Sequence, residues 1–170
     1  MFRILFVCTA NLYRSPLAAA FFSRKLQADG LTRRWRVASA GTWTVAGRRV
    51  PSEMLAAAQA AGLDLTSHLT RQVDRDLLSK FDLILVMEKG HREALRIEFP
   101  SVQERVHLLS ELADQLEYDI RDPARSRQKI NEIVIEISRL IDRAYPNICR
   151  LAQMPETTRP SSSNNVNVTL

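Results

Sequence analysis

Cysteine is scarce: only Cys8 and Cys149 occur among 170 residues. Two thiols do not make a disulfide scaffold. With no histidine at ligand spacing they do not make a zinc site either. No metal and no other cofactor is expected. Long apolar runs are missing too. None approaches the roughly 20 residues that cross a bilayer. The opening MFRILFVC has neither the basic start nor the small-residue cleavage site of a secretory signal. The expectation is a cytoplasmic protein with no membrane insertion. Positive charge is in modest excess, net +5, but arginines alternate with acids, as in DIRDPARSRQK. No aromatic residues interleave a basic stripe, which argues against nucleic acid as partner and for a solvated basic surface.

What is present has a globular profile, 45% hydrophobic and 25% charged, in a length that supports one domain with a substantial core. Strand and helix patterns alternate along it. RILFVC (3–8) is a short continuous apolar run, suited to a strand covered on both faces. Residues 15–30 read as a helix, with Ser15 at the cap, Pro16 in the first turn and Gly30 near the stop. A strand at 35–41, a helix at 51–63 closing near Gly62, a strand at 81–87, a helix at 88–99 and a strand at 105–109 follow. Between 126 and 151, Ile130, Val134, Ile137, Ile141, Tyr145 and Ile148 recur every three or four residues, one apolar stripe on a long closing helix. Such alternation predicts an α/β fold, a parallel sheet with helices on both faces and right-handed crossovers. Residues 1–152 form this domain, and the almost wholly polar stretch 153–170 is expected to be a disordered tail.

The chemistry concentrates in VCTANLYRSP (7–16). Open parallel sheets bind ligands at the carboxyl ends of their strands. Cys8 ends the first strand and Ser15-Pro16 begins the first helix, so Thr9, Ala10, Asn11, Leu12, Tyr13 and Arg14 curl around a helix N-terminus. Inward amide N–H groups and the helix dipole make such a loop a site for a phosphate-like anion. The same field, with Arg14, is expected to leave Cys8 mostly ionised. Arg14 offers a planar fork for two phosphoryl oxygens, and Ser15 a hydroxyl for the thiolate. The Gly-Lys-Ser/Thr of a nucleotide loop is absent. The inference is attack on phosphorus through a cysteinyl-phosphate intermediate. The competing reading makes Cys8 a buried core thiol and Arg14 a surface cation. A proton donor for the leaving oxygen is also required. Asp122 in YDIRDPARS is the best candidate, although Asp-Pro is by itself a common turn or helix-cap pair.

Together these features resemble the low-molecular-weight protein-tyrosine phosphatases, from about Phe2 to Leu151. The motifs run in the family's order: VCTANLYRSP, SAGT (39–42), GLD (62–64), His68, Arg71-Gln72, FDLILVM and Asp122-Pro123. The resemblance implies a flavodoxin-like four-stranded parallel sheet in a three-layer α/β/α arrangement, and metal-free hydrolysis of phosphomonoesters. It implies Cys8 as nucleophile, Arg14 as phosphate clamp, and Asp122 as general acid and then base. Asn11, Ser39 and His68 fall where the family holds its loop by hydrogen bonds. Trp43 falls at an aromatic wall beside the pocket. Read without the family, Ser39 is a strand-end serine, His68 a turn histidine and Trp43 a packing residue. The implied partner is a phosphotyrosine-containing protein, with a tyrosine kinase among the candidates.

Three departures from the pattern matter. Ala10 replaces the usual glycine at a position expected to want unusual backbone angles. Tyr13 replaces a second cysteine that shelters the nucleophile in many members, which predicts poor recovery from peroxide. Ala124 and the basic residues after it replace the usual aromatics. Three alternatives share the loop: an arsenate reductase, which would need further cysteines; a phosphoarginine phosphatase, which carries Thr where Leu12 stands; and a phosphate-binding module, which has no use for Asp122.

Overall fold

The apolar run at the N-terminus becomes the second strand of a four-stranded parallel sheet. The computed structural model describes residues 1–126 and 129–153. Its strands are β1 (Phe2–Cys8), β2 (Trp35–Gly41), β3 (Leu83–Val86) and β4 (Val106–Leu108), in the order β2-β1-β3-β4. β1 runs parallel to β2, from Phe2 opposite Trp35 to Cys8 opposite Gly41, and to β3, with Val7 opposite Val86. Among the described residues six α-helices cover the sheet: α1 (Arg14–Ala28), α2 (Ser52–Ala60), α3 (Arg75–Ser79), α4 (Lys89–Glu98), α5 (Leu109–Asp114) and α6 (Ile130–Gln153).

Strand alternation divides the core in two. Ile4, Phe6 and Cys8 of β1 pack toward Phe22 of α1, Met54 of α2 and Ile137 of α6. Leu5 and Val7 face the other way, with Ile84 and Val86, against Leu78 of α3, Leu95 of α4 and Val102. This is the expected flavodoxin-like α/β/α arrangement. On α6 the expected stripe is in place: Val134, Ile137, Ile141, Tyr145 and Ile148 are buried, and Ile130 packs against the core from its edge.

The differences from expectation lie at element ends and in two short helices. α1 starts at Arg14, so Ser15 lies inside the first turn rather than at its cap. It ends where Gly30, at φ 68, lets its own N–H reach Gln27 O and the Leu31 N–H reach Leu26 O. α2 is shorter than 51–63, and β3 and β4 are shorter than their apolar runs. α6 begins at Ile130, four residues beyond the expected start, and continues to Gln153. The expected tail beyond that point lies outside the described residues. α3 and α5, of 5 and 6 residues, were not anticipated because one turn and a half shows no period. Asp74 caps α3 by accepting the Leu77 N–H at 2.7 Å. No described helix is long and apolar enough to cross a membrane.

From β1 the chain steps outward to β2, then returns past β1 to β3. The carboxyl ends of β1 and β3 therefore flank the point where the strand order reverses, which is where ligands bind in open α/β sheets.

Candidate active site

Cys8 ends β1 with its side chain in the core, 2% exposed. Its Sγ lies 3.1 Å from Ser15 Oγ. Ser15 is available for this because it does not cap α1; Tyr13 stands at the cap with no side-chain bond. The Ser15 hydroxyl accepts from Asn11 Nδ2 at 2.9 Å and lies 3.2 Å from the Ala40 carbonyl. A hydroxyl has one proton to give. With a protonated thiol, S–H can donate to Ser15 while Ser15 donates to Ala40. With a thiolate, the Ser15 proton turns to sulfur.

The shape of the loop is set by Asn11, which is fully buried and left-handed at φ 55. The sequence reading assigned unusual backbone angles to Ala10. The left-handed residue is its neighbour, and asparagine tolerates that region better than most. Every polar group of the Asn11 side chain is engaged. Nδ2 donates to Ser15 Oγ and to Ser39 Oγ, each at 2.9 Å, and Oδ1 accepts from the Arg71 N–H at 3.1 Å. The Asn11 carbonyl accepts from His68 Nε2 at 2.9 Å, which fixes the proton of a neutral ring on that nitrogen. Burial pushes the His68 pKa down, so the ring is neutral at pH 7. Ser39 and His68 thus both reach the loop through Asn11.

β2 comes equally close. A methyl group added at Gly41 would sit 2.5 Å from the Thr9 carbonyl oxygen, nearer than real carbons approach. The next two N–H groups tie down the loop entry: Thr42 donates to Cys8 O at 2.9 Å and Trp43 to Thr9 O at 3.0 Å. Trp43 therefore stands on the lip of the loop and is 82% exposed. Leu12 is buried, while Tyr13 is half-buried; burial foremost, then Glu53 and Asp122, push its phenol pKa up.

Arg14 crosses beneath the mouth of the loop, only 1% exposed. Nη1 donates to Glu88 Oε1 at 2.5 Å and to the Ile120 carbonyl at 2.7 Å. Nη2 donates to Asp122 Oδ2 at 2.9 Å and to Thr9 Oγ1 at 3.3 Å. A buried guanidinium needs such neutralisation, and two carboxylates supply it. Asp122 is held by its own turn, Oδ1 accepting from the Ala124 N–H and the main-chain carbonyl from the Arg125 N–H, each at 3.0 Å. Asp122, 108 residues on, thus joins the loop that Cys8 opens and Arg14 closes.

Two residues at this site were not anticipated. Glu88 stands at the N-cap position of α4 without a side-chain capping bond, and His91 in the first turn is 8% exposed, with Nε2 2.9 Å from Thr9 Oγ1. Both follow β3 at the reversal point of the sheet, and that position was the signal available in FDLILVMEKGH. Among the described residues, no group of three or more His, Cys, Asp or Glu side chains could hold a metal ion.

Comparison with known proteins agrees with this geometry. The family model for low molecular weight phosphotyrosine protein phosphatase matches residues 3–156. The low molecular weight protein-tyrosine-phosphatase Wzb of Salmonella typhi is 35% identical over 132 residues, 78% of this chain and 83% of that protein. The protein-arginine-phosphatase of Geobacillus stearothermophilus is 30% identical over 122 residues, 72% of this chain and 78% of that protein. Among solved structures, the low molecular weight protein tyrosine phosphatase of T. tengcongensis superposes with a TM-score of 0.75 at 31% identity, covering 84% of this chain and 97% of that one.

Proposed function

Because the chain belongs to the low molecular weight phosphotyrosine protein phosphatase family, whose members are hydrolases, we propose that Cys8, Arg14 and Asp122 carry out phosphomonoester hydrolysis on phosphotyrosine. The sulfur of Cys8 attacks phosphorus; an S–P bond forms as the P–O bond to the leaving group breaks. Arg14 and the amide groups of loop 9–13 hold the three equatorial oxygens, where charge gathers in the transition state. Asp122 gives its proton to the departing oxygen and takes one back from the water that hydrolyses the cysteinyl phosphate. Ser15 stabilises the sulfur as it leaves. The observation that carries this reading is the 2.9 Å contact between Arg14 Nη2 and Asp122 Oδ2, which sets a proton donor beside the phosphate clamp.

The aryl preference rests on Trp43, exposed on the lip beside Thr9, and on Leu12, a hydrocarbon side chain where phosphoarginine phosphatases carry a hydroxyl. The partner is a phosphotyrosine-bearing protein, a tyrosine kinase being one candidate, and the compartment is the cytoplasm.

The test compares hydrolysis of an aryl phosphate and of phosphoarginine by wild type, Cys8→Ser and Asp122→Ala. Wild type should turn over the aryl phosphate in preference. Cys8→Ser should be inactive, and Asp122→Ala should lose kcat by roughly 10²–10⁴-fold. A preference for phosphoarginine would move the chain to the other branch of the family. An Asp122→Ala rate equal to wild type would remove that residue from the mechanism.

A further inference from the structure

Phosphoryl transfer by Cys8, Arg14 and Asp122 makes no use of His91, yet His91 is buried beside the clamp. Nε2 lies 2.9 Å from Thr9 Oγ1, and Nδ1 is buried with no hydrogen-bond partner. A half-satisfied imidazole in a protein interior carries a desolvation penalty that an aliphatic side chain would not. The contact it keeps is therefore informative. Thr9 follows the nucleophile directly, and its hydroxyl accepts from Arg14 Nη2 at 3.3 Å. Glu88 Oε1 binds the other arm of Arg14 at 2.5 Å and stands 3.8 Å from His91 Nε2. His91, Thr9 and Glu88 thus cluster around one guanidinium.

The groups facing His91 are Glu88, Arg14, Asp122 and Asp119. Burial outweighs the three carboxylates and holds its pKa down, so the ring is neutral at pH 7. A neutral ring adds no second cation beside Arg14. It acts only through Thr9, whose single hydroxyl oxygen is shared between imidazole and guanidinium.

We propose that His91 is a positioning residue for the phosphate clamp: through the Thr9 hydroxyl it fixes the arm of Arg14 that lies nearest Asp122, and so aims the guanidinium at the phosphoryl group. The inference rests on the reading of Arg14 as the clamp. It concerns the phosphoryl group rather than the leaving group, so aryl and alkyl phosphates should feel it alike.

The experiment measures inorganic phosphate binding by calorimetry, alongside kcat and KM for an aryl phosphate, in Thr9→Val, His91→Leu, their combination, His91→Gln and His91→Asn. Thr9→Val and His91→Leu should each weaken phosphate binding and kcat/KM about tenfold, the weight of one hydrogen bond to a charged group. The double variant should lose no more than the worse single one, because both act through one chain. Glutamine presents its amide near the position of Nε2 and should recover to within about threefold of wild type, while asparagine, too short to reach Thr9, should behave as leucine does. Losses that multiply to about a hundredfold in the double variant would overturn the proposal. So would unchanged phosphate binding in either single variant, or glutamine no better than asparagine. Should His91→Leu fail to fold, the glutamine and asparagine pair decides the question alone. Wild type that binds phosphate without turnover would sink the proposed function and leave this test intact.

Discussion

Arg14 and Asp122 are bonded to each other, Nη2 to Oδ2 at 2.9 Å. The proposed phosphate clamp and the proposed proton donor are therefore positioned by one contact. A phosphoryl group entering the loop competes with that carboxylate for the same guanidinium, which is otherwise occupied by Glu88, Thr9 and the Ile120 carbonyl.

The first prediction concerns that guanidinium. Lysine keeps the charge of Arg14 but presents a point donor in place of a planar fork. Arg14→Lys should retain the fold and lose kcat/KM for an aryl phosphate by roughly 10²–10³-fold, the usual weight of a transition-state oxyanion donor. Steady-state kinetics with a thermal melt in parallel checks this. A loss below threefold would show that charge alone suffices.

Gly41 gives a second, purely steric test. Its added methyl would press on the Thr9 carbonyl oxygen at 2.5 Å, and the contact is backbone on backbone, with no side chain to yield. Gly41→Ala should cost about 1–3 kcal/mol of stability, as overpacking does, and should impair phosphate binding more than its melting temperature suggests. Urea denaturation and phosphate calorimetry on one sample would show whether fold and loop are disturbed together.

Much of this was open to inspection in the sequence. The run at 3–8 is apolar at every position but one, so a strand covered on both sides follows from composition alone. Cys8 and Arg14 are close in sequence, and one strand-to-helix turn brings them together. Glu88, His91 and Gly41 were less visible because contacts between elements distant in sequence make their roles. His91 meets Thr9 across 82 residues, and Gly41 touches Thr9 because β2 lies beside β1. Ser15 was misread as a cap because serine at a helix start usually is one; its hydroxyl is taken up by Cys8, Asn11 and Ala40.

The histidines predict how stability responds to acid. Burial, the largest cause in each, holds His68, His91 and His107 below their ordinary value of 6.5. The unfolded chain takes up protons as pH falls through about 6.5, and the folded chain does so only at lower pH. Stability should therefore decline from about pH 7 downward, by at most about 1.4 kcal/mol per pH unit for each histidine, and these groups should leave it flat above about 7.5. Urea midpoints at pH 7.5, 6.5 and 5.5 measure the slope. His107→Gln should reduce it, and a midpoint that rises on acidification would contradict the assignment.

The last prediction is oxidative. Cys149 borders the same cavity as Met1, Phe2 and Trp35, at the amino end of the sheet, while Cys8 lies at the carboxyl end. A strand of this length separates the two ends by roughly 20 Å, far beyond the reach of a disulfide. Brief peroxide exposure should carry Cys8 past sulfenic acid with no thiol to intercept it, so dithiothreitol should restore little activity. Tyr13→Cys should restore most of it. Equal recovery of the two proteins would discount any sheltering by a second thiol.

Ile120 has a broader consequence. Its N–H is tied to Met87 O at 2.8 Å and its carbonyl to Arg14, so one residue pins the segment that carries Asp122, the proposed acid. Pro123 to Ser126, between that pin and the core-packed α6, can change character while the sheet stays as it is. Substitutions there would reshape the rim beside Asp122 and leave the frame that holds Cys8 and Arg14 in place.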